Sequence, residues 1–387
     1  MKRRVVVTGV GLACGGAKDL ASFEHILFAG ESPIRPVPEL GCYGLAPFCA
    51  GVEDSLPLPP DDTEGRTRAL LQRAAAGLLE NAGLTPEAIS QWGDCRLYLA
   101  MLEGRQGPAR SALKEPEALA AGNTFPREVA ELLGLQGPAW LASLACASGN
   151  VTVALAFEAL RQGRAEAAVV AGADGLSPVT LATFQTVKAM SSGYASPFDK
   201  NRDGINVGEG AAMLLLEPLE RAKARGAAIF GEILGAATGN EACHMTAPGP
   251  EGEGIRRMME EALADAGLSP SDIGYIDAHG TGTKAGDGAE ARAIASLFGK
   301  NIPVAATKAV LGHTMGAAGV LELVSVLLAL RRQKYVPLPR LREPMTEELR
   351  LSGKSFPLSA RYALSNSLGF SGSMGVLVLG GWEEDAL

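Results

Sequence analysis

The chain has 387 residues, a length that suits two or three folding units of roughly 100–200 residues each. Hydrophobic residues make up 47% and charged residues 20%, which supports a packed core and excludes a disordered chain. A net charge of −8, from 35 basic and 43 acidic groups, excludes a global field that would draw nucleic acid or an acidic membrane surface, so an acidic partner must be met by local basic groups.

Residues 4–9 (RVVVTG) form a short apolar run stopped by glycine, entered at once from Met1-Lys2-Arg3 with no signal-like apolar region. No run of 18 apolar residues occurs, so a cytoplasmic globular protein is expected. Residues 68–82 read as a helix closed by Gly83. Residues 96–101 (RLYLAM), 167–171 (AAVVA) and 211–217 (AAMLLLE) read as buried strands. The alternation predicts an α/β protein with largely buried sheets. The six cysteines (Cys14, Cys42, Cys49, Cys95, Cys146 and Cys243) lie far apart with no CxxC pair, so neither disulfides nor a structural metal is expected and most should be small buried hydrophobes.

The chain also repeats itself. LLENAGLTPEAI at 78–89 and ALADAGLSPSDI at 262–273 share six of twelve positions at an offset of 184. Each copy ends a helix at a glycine, turns through proline and leads into a strand. That idiom is common at helix ends, but a second pair supports duplication: Ala147-Ser148-Gly149 through Ala159-Leu160-Arg161 parallels Ala317-Ala318-Gly319 through Ala329-Leu330-Arg331. Both segments are apolar nearly all round, as buried helices are. Two similar halves, 1–228 and 229–387, would set these helices back to back.

Ser143-Leu144-Ala145-Cys146-Ala147-Ser148-Gly149-Asn150 places a cysteine where the first buried helix begins. The unpaired N–H groups and dipole of a helix start favour a thiolate, so a lowered Cys146 pKa is expected. A buried cysteine alone is more often structural, so its partners decide. Only four histidines are present, and His25 and His244 lie in weak contexts. His279 follows a strand in Tyr275-Ile276-Asp277-Ala278-His279-Gly280-Thr281-Gly282-Thr283, and His313 precedes the second buried helix after Thr307-Lys308-Ala309-Val310-Leu311-Gly312. One cysteine and two such histidines match the Cys/His logic of acyl transfer.

These segments resemble the β-ketoacyl synthases of type II fatty-acid and polyketide systems, the elongating Cys-His-His kind. Ser196-Pro197-Phe198-Asp199-Lys200-Asn201-Arg202-Asp203-Gly204 with Gly208-Glu209-Gly210 resembles the family's mid-chain motif, and Asn366-Ser367-Leu368-Gly369-Phe370-Ser371-Gly372 its C-terminal glycine loop. The matches run in family order from residue 4 to about 380. The resemblance implies a duplicated thiolase-like fold, layered α/β/α/β/α with two buried central helices, the nucleophile in the first half and both histidines in the second. It implies that Cys146 takes an acyl group from a carrier protein or coenzyme A, with the Cys146 and Phe370 amides as the oxyanion hole. His279 and His313, as neutral imidazoles, would stabilise the enolate left by malonyl decarboxylation. Lys308 would be the active-site lysine and Glu290 the acid that helps hold it. Thr281 and Thr283 would bond the pantetheine arm, although turn capping alone would also place hydroxyls there.

The resemblance calls for no metal or nicotinamide, since loss of carbon dioxide drives the condensation, and the substrates are carried on phosphopantetheine. Expected partners are an acyl carrier protein and a second ketosynthase-like subunit, in a homodimer or a heterodimer. Basic residues expected at the carrier-docking rim are Arg66, Arg68 and Arg73, with Arg127, Lys200 and Arg202. A thiolase would need a second cysteine in the C-terminal loop, which has Ser371 and Ser373 instead, and a non-catalytic chain-length factor would lack Cys146. Three departures stand out. The usual HGTSTP reads HGTGTK, ending at Lys284; the usual GFGGTN reads GFSGSM; and the stretch from Met101 to Phe125 is short. Chain-length preference and the choice between fatty-acid and polyketide synthesis therefore stay open.

Overall fold

A computed structural model describes residues 2–38, 48–56, 63–102 and 124–382. Cys42 and most of the short stretch between Met101 and Phe125 lie outside the described residues. The frame consists of ten strands and six helices. The first set is β1 (Val5–Cys14), α1 (Thr63–Ala82), β2 (Cys95–Ala100), α2 (Phe125–Leu133), β3 (Ala139–Ala142), α3 (Ser148–Arg161), β4 (Ala167–Asp174) and β5 (Gly210–Pro218). The second set is β6 (Gly231–Asn240), α4 (Glu253–Ala266), β7 (Ile273–Asp277), α5 (Lys284–Phe298), β8 (Ile302–Ala305), α6 (Ala318–Arg332), β9 (Tyr362–Leu368) and β10 (Ser373–Gly381).

The two sets share one topology. Strand order is β3-β2-β4-β5-β1 in the first and β8-β7-β9-β10-β6 in the second, with Leu349–Arg350 added beyond β8. Strand directions match as well: β2 pairs parallel with β3 and β4, and β7 pairs parallel with β8 and β9. The remaining pairs in each set are antiparallel. The sheets join where Val5–Val7 of β1 meets Gly231–Ile233 of β6.

α3 and α6 lie between the two sheets and pack on strands of both, while α1 covers β1 and β5, and α4 covers β6 and β10. This is the layered α/β/α/β/α arrangement. With helices on both faces, β1, β4 and β5 are buried along their whole length, which is why their sequences are mostly apolar. The repeated helix stop is repeated structurally: Gly83 and Gly267 take φ values of 63° and 68°, a conformation that glycine adopts without steric cost.

At the centre, α3 and α6 cross backbone to backbone. A Cβ on Gly149 would lie 2.7 Å from the Gly319 Cα, and one on Gly319 would lie 2.7 Å from the Asn150 amide nitrogen. Among the described cysteines, Cys14, Cys95 and Cys146 are buried, Cys49 is half-buried and Cys243 is exposed.

Candidate active site

After β3 the chain turns through Ser143–Ala147 into α3, which places Cys146 just ahead of the helix. Ala145 takes a φ of 50°, a left-handed conformation costing a non-glycine residue about 1 kcal/mol or more. Ser148 ties the turn together: its Oγ accepts from the Leu144 amide at 2.7 Å and donates to the Ala145 carbonyl at 2.6 Å. The expected fall in thiol pKa is reversed. Burial pushes the Cys146 thiol up to about 11, and the opposing charge of Lys308 does not overcome the loss of thiolate hydration. At rest Cys146 therefore carries a protonated thiol.

Cys146, His279, His313 and Phe370 border one cleft of about 360 Å³. The imidazole rings stand edge to face, with centroids 5.5 Å apart. Burial first, and the Lys308 charge second, hold both histidines well below their ordinary pKa, so both are neutral at physiological pH. Their tautomers follow from their partners. The Met315 amide can only donate, and it donates to His313 Nδ1 at 3.3 Å. The Lys308 ammonium likewise has no acceptor, and its Nζ donates to His279 Nδ1 at 3.1 Å. Each proton is thereby placed on Nε2. His313 Nε2 is buried with no hydrogen-bond partner among the described residues, a donor free for an oxyanion.

The lysine's carboxylate is Glu322, not Glu290 as the resemblance implied. Lys308 Nζ pairs with Glu322 Oε1. Glu290 instead accepts from the His279 amide at 2.8 Å, the Gly280 amide at 3.0 Å and Asn366 Nδ2 at 3.1 Å, so it fixes the histidine loop. Glu322 did leave a sequence signal: it is the sole acidic residue of α6 and stands in a run that is otherwise apolar up to Ser325. Asp174 is a second residue that the sequence reading missed. Its Oδ2 accepts from Gly316 at 2.7 Å and from Leu102 at 2.9 Å, tying the turn after His313 to the end of β2.

The mid-chain motif forms the cleft's scaffold. Asp287 accepts from Phe198 at 2.8 Å and from Gly282 at 3.0 Å, and the His313 amide donates to the Asn206 carbonyl at 2.7 Å. The glycine loop lies against the Cys146 turn, since a Cβ on Gly369 would sit 3.3 Å from the Cys146 amide nitrogen. Thr281 and Thr283 line the cleft with hydroxyls 3.2 Å apart, and Thr283 also caps α5.

Two of the residues expected at the basic rim, Arg66 and Arg202, are buried. Arg66 is buried against Glu209 and the Glu53 and Leu56 carbonyls, anchoring a carboxylate with no solvent access. Arg202 is buried on the Asp199, Thr283 and Lys284 carbonyls. Arg68 pairs with Glu64 and Glu128, Arg73 with Glu53, and Lys200 with Glu343. Arg127 is exposed, 3.9 Å from Glu131. The lysines on the cleft itself are Lys188 and Lys284.

The family signatures described as Beta-ketoacyl synthase, N-terminal domain and C-terminal domain match residues 58–222 and 230–342. The chloroplastic 3-oxoacyl-[acyl-carrier-protein] synthase II of Arabidopsis thaliana is 33% identical over 96% of this chain and 74% of its own length. The putative polyketide beta-ketoacyl synthase 1 of Streptomyces cyaneus is 33% identical over 98% of this chain and 99% of its own. Among solved structures, the ishigamide ketosynthase/chain length factor superposes with a TM-score of 0.86 at 32% identity, covering 99% of this chain and 100% of that one. A type II polyketide ketosynthase, bound to hexaketide and in complex with its acyl-carrier protein, superposes with a TM-score of 0.89 at 26% identity, covering 99% and 100%. By its matched length, its fold and the cleft at its centre, the chain belongs to the β-ketoacyl synthase family.

Proposed function

We propose that this chain joins an acyl group held on Cys146 to a malonyl unit on an acyl carrier protein. The observation that carries this reading is the convergence of one thiol and two neutral Nε2–H donors on one cleft. In the first step the Cys146 sulfur attacks the acyl thioester carbon. The carrier sulfur leaves with the thiol proton, and an acyl-Cys146 forms. In the second step the malonyl carboxylate leaves as carbon dioxide, and its electron pair enters an enolate. The enolate oxygen takes hydrogen bonds from His279 and His313. In the third step the enolate carbon attacks acyl-Cys146, with the oxyanion held by the Cys146 and Phe370 amides. The C–S bond breaks and the sulfur regains a proton from water.

Lys308 acts through His279, whose tautomer it sets, and Glu322 holds the lysine. The Thr281 and Thr283 hydroxyls fit the amides of a pantetheine arm, and with Arg66 and Arg202 buried, Arg68, Arg73, Arg127 and Lys200 are what is left of the expected docking rim. The division at residue 228, with the nucleophile in the first half and the histidines in the second, is part of this reading.

Incubation with an acyl-carrier protein and a malonyl-carrier protein is expected to give the β-ketoacyl-carrier, carbon dioxide and free carrier thiol in equal amounts. Carbon dioxide release without a lengthened product would refute it. The relatives include a 3-oxoacyl-[acyl-carrier-protein] synthase and a putative polyketide beta-ketoacyl synthase, so this reading covers fatty-acid and polyketide synthesis alike.

The chain is also read as half of a two-fold dimer, with its own copy or a homologous subunit. β3 is the outer strand of its sheet, its Trp140 and Leu141 are 42% and 38% exposed, and Leu155 of α3 is 50% exposed. An open edge beside exposed apolar groups is a pairing surface. Light scattering at micromolar concentration should give twice the 40.0 kDa chain mass, alone or with the homologous subunit, and a persistent monomer would refute the dimer. No helix among the described residues is long and apolar enough to cross a membrane, and a cytoplasmic location belongs to the same reading.

A further inference from the structure

The cleft carries two cations that the steps above do not use. Lys188 and Lys284 are both exposed and both line the cleft that holds Cys146. Neither has a carboxylate partner among the described residues. The acids on the same cleft are engaged elsewhere. Asp203 accepts from Ser191 Oγ at 2.6 Å and from the Ser192 amide at 3.0 Å, and Glu241 accepts from the Gly249 amide at 3.1 Å.

Both lysines stand at positions that local energetics disfavour. Lys188 ends the helix Pro178–Thr186 with a φ of 53°, where glycine or asparagine is the usual residue. Lys284 opens α5, where the helix dipole opposes a positive charge. The two segments are joined through one ridge: a Cβ on Gly204 would lie 2.5 Å from the Ala189 carbonyl, and one on Gly282 would lie 2.6 Å from the Gly204 carbonyl. Lys284 also stands at the end of the HGTGTK segment, one residue beyond Thr283.

We propose that Lys188 and Lys284 hold the phosphate ester at the outer end of the pantetheine arm, while Thr281 and Thr283 hold its inner part. The inference rests on the acyl-transfer reading above. A phosphate between two unpaired ammonium groups gains charge-assisted hydrogen bonds that a neutral pantetheine cannot make. The lysines are positioning residues, since they touch the arm and not the reacting carbon. The phosphate could belong to a carrier protein or to coenzyme A.

The test measures Cys146 acylation with one acyl group on four donors: pantetheine, 4′-phosphopantetheine, coenzyme A and carrier protein. For the wild type, the KM for acyl-4′-phosphopantetheine should be roughly tenfold below that for acyl-pantetheine, narrowing at high salt. The Lys188→Gln/Lys284→Gln variant should erase this gap by raising only the phosphorylated donor's KM, and Lys188→Arg/Lys284→Arg should keep it. A parallel loss with the carrier, with coenzyme A or with both names the source of the phosphate. The proposal is overturned if the wild type shows no gap, if the Gln variant keeps it, or if both donors suffer equally. If no donor acylates wild-type Cys146, the acyl-transfer reading itself falls, and this inference with it.

Discussion

His279→Ala and His313→Ala should each slow malonyl decarboxylation by about 10²–10³-fold, the usual effect of removing one oxyanion donor. The reason is geometric. Met315 and Lys308 occupy the two Nδ1 atoms, so each ring offers one Nε2–H to the cleft. Both rings border the cleft, so both variants should remain folded. The pH dependence is the sharper part of the test. An ordinary histidine titrates near 6.5, but burial holds both of these well below that value. Both rings therefore stay neutral as pH falls through 6.5, and the decarboxylation rate should show no limb there. A limb near 6.5, or near-parental decarboxylation by either variant, would contradict the assignment.

Gly319→Val should destabilise the protein by about 3 kcal/mol or more, with Gly319→Ala intermediate. The added Cβ would lie 2.6 Å from Asn150 Oδ1 and 2.7 Å from the Asn150 amide nitrogen. The obstacle is largely the backbone of a buried helix, which no rotamer change can clear. Because α3 and α6 support both sheets, the damage should spread to the whole fold and not stay in one half. Gly193→Ala is the control: nothing lies within 4 Å of its Cβ position, and its stability should change by less than about 0.5 kcal/mol. Equal melting temperatures for Gly319→Val and wild type would refute the close crossing.

Much of this was legible in the sequence. Buried strands show as apolar runs, and a repeated helix end together with a repeated buried helix pointed to the duplication. The reading of β1 stopped at Gly9, whereas the strand runs on to Cys14. Gly11 is not a turn there but a point where a helix backbone comes close: a Cβ on it would sit 2.0 Å from the Ala74 carbonyl. Cys146, His279 and His313 stood out because reactive residue types occupied element ends. Charge was harder to read. Arg66 and Arg202 looked like docking groups because a sequence does not show what a charge will meet, and Glu209 lies 143 positions beyond Arg66. Glu322 escaped because one acid does not alter the pattern of an apolar helix. The Cys146 pKa reverses for a related reason: the helix start is local, but desolvation comes from the whole packed site.

The most direct measurement is the intact mass of the protein after exposure to an acyl-carrier protein without any malonyl donor. The wild type should gain the mass of one acyl group, located by peptide mapping on Cys146. Malonyl-carrier protein added afterwards should remove that mass and yield a β-ketoacyl-carrier. Cys146→Ala should gain nothing. An unmodified wild type, or a label of equal extent on Cys146→Ala, would contradict the account.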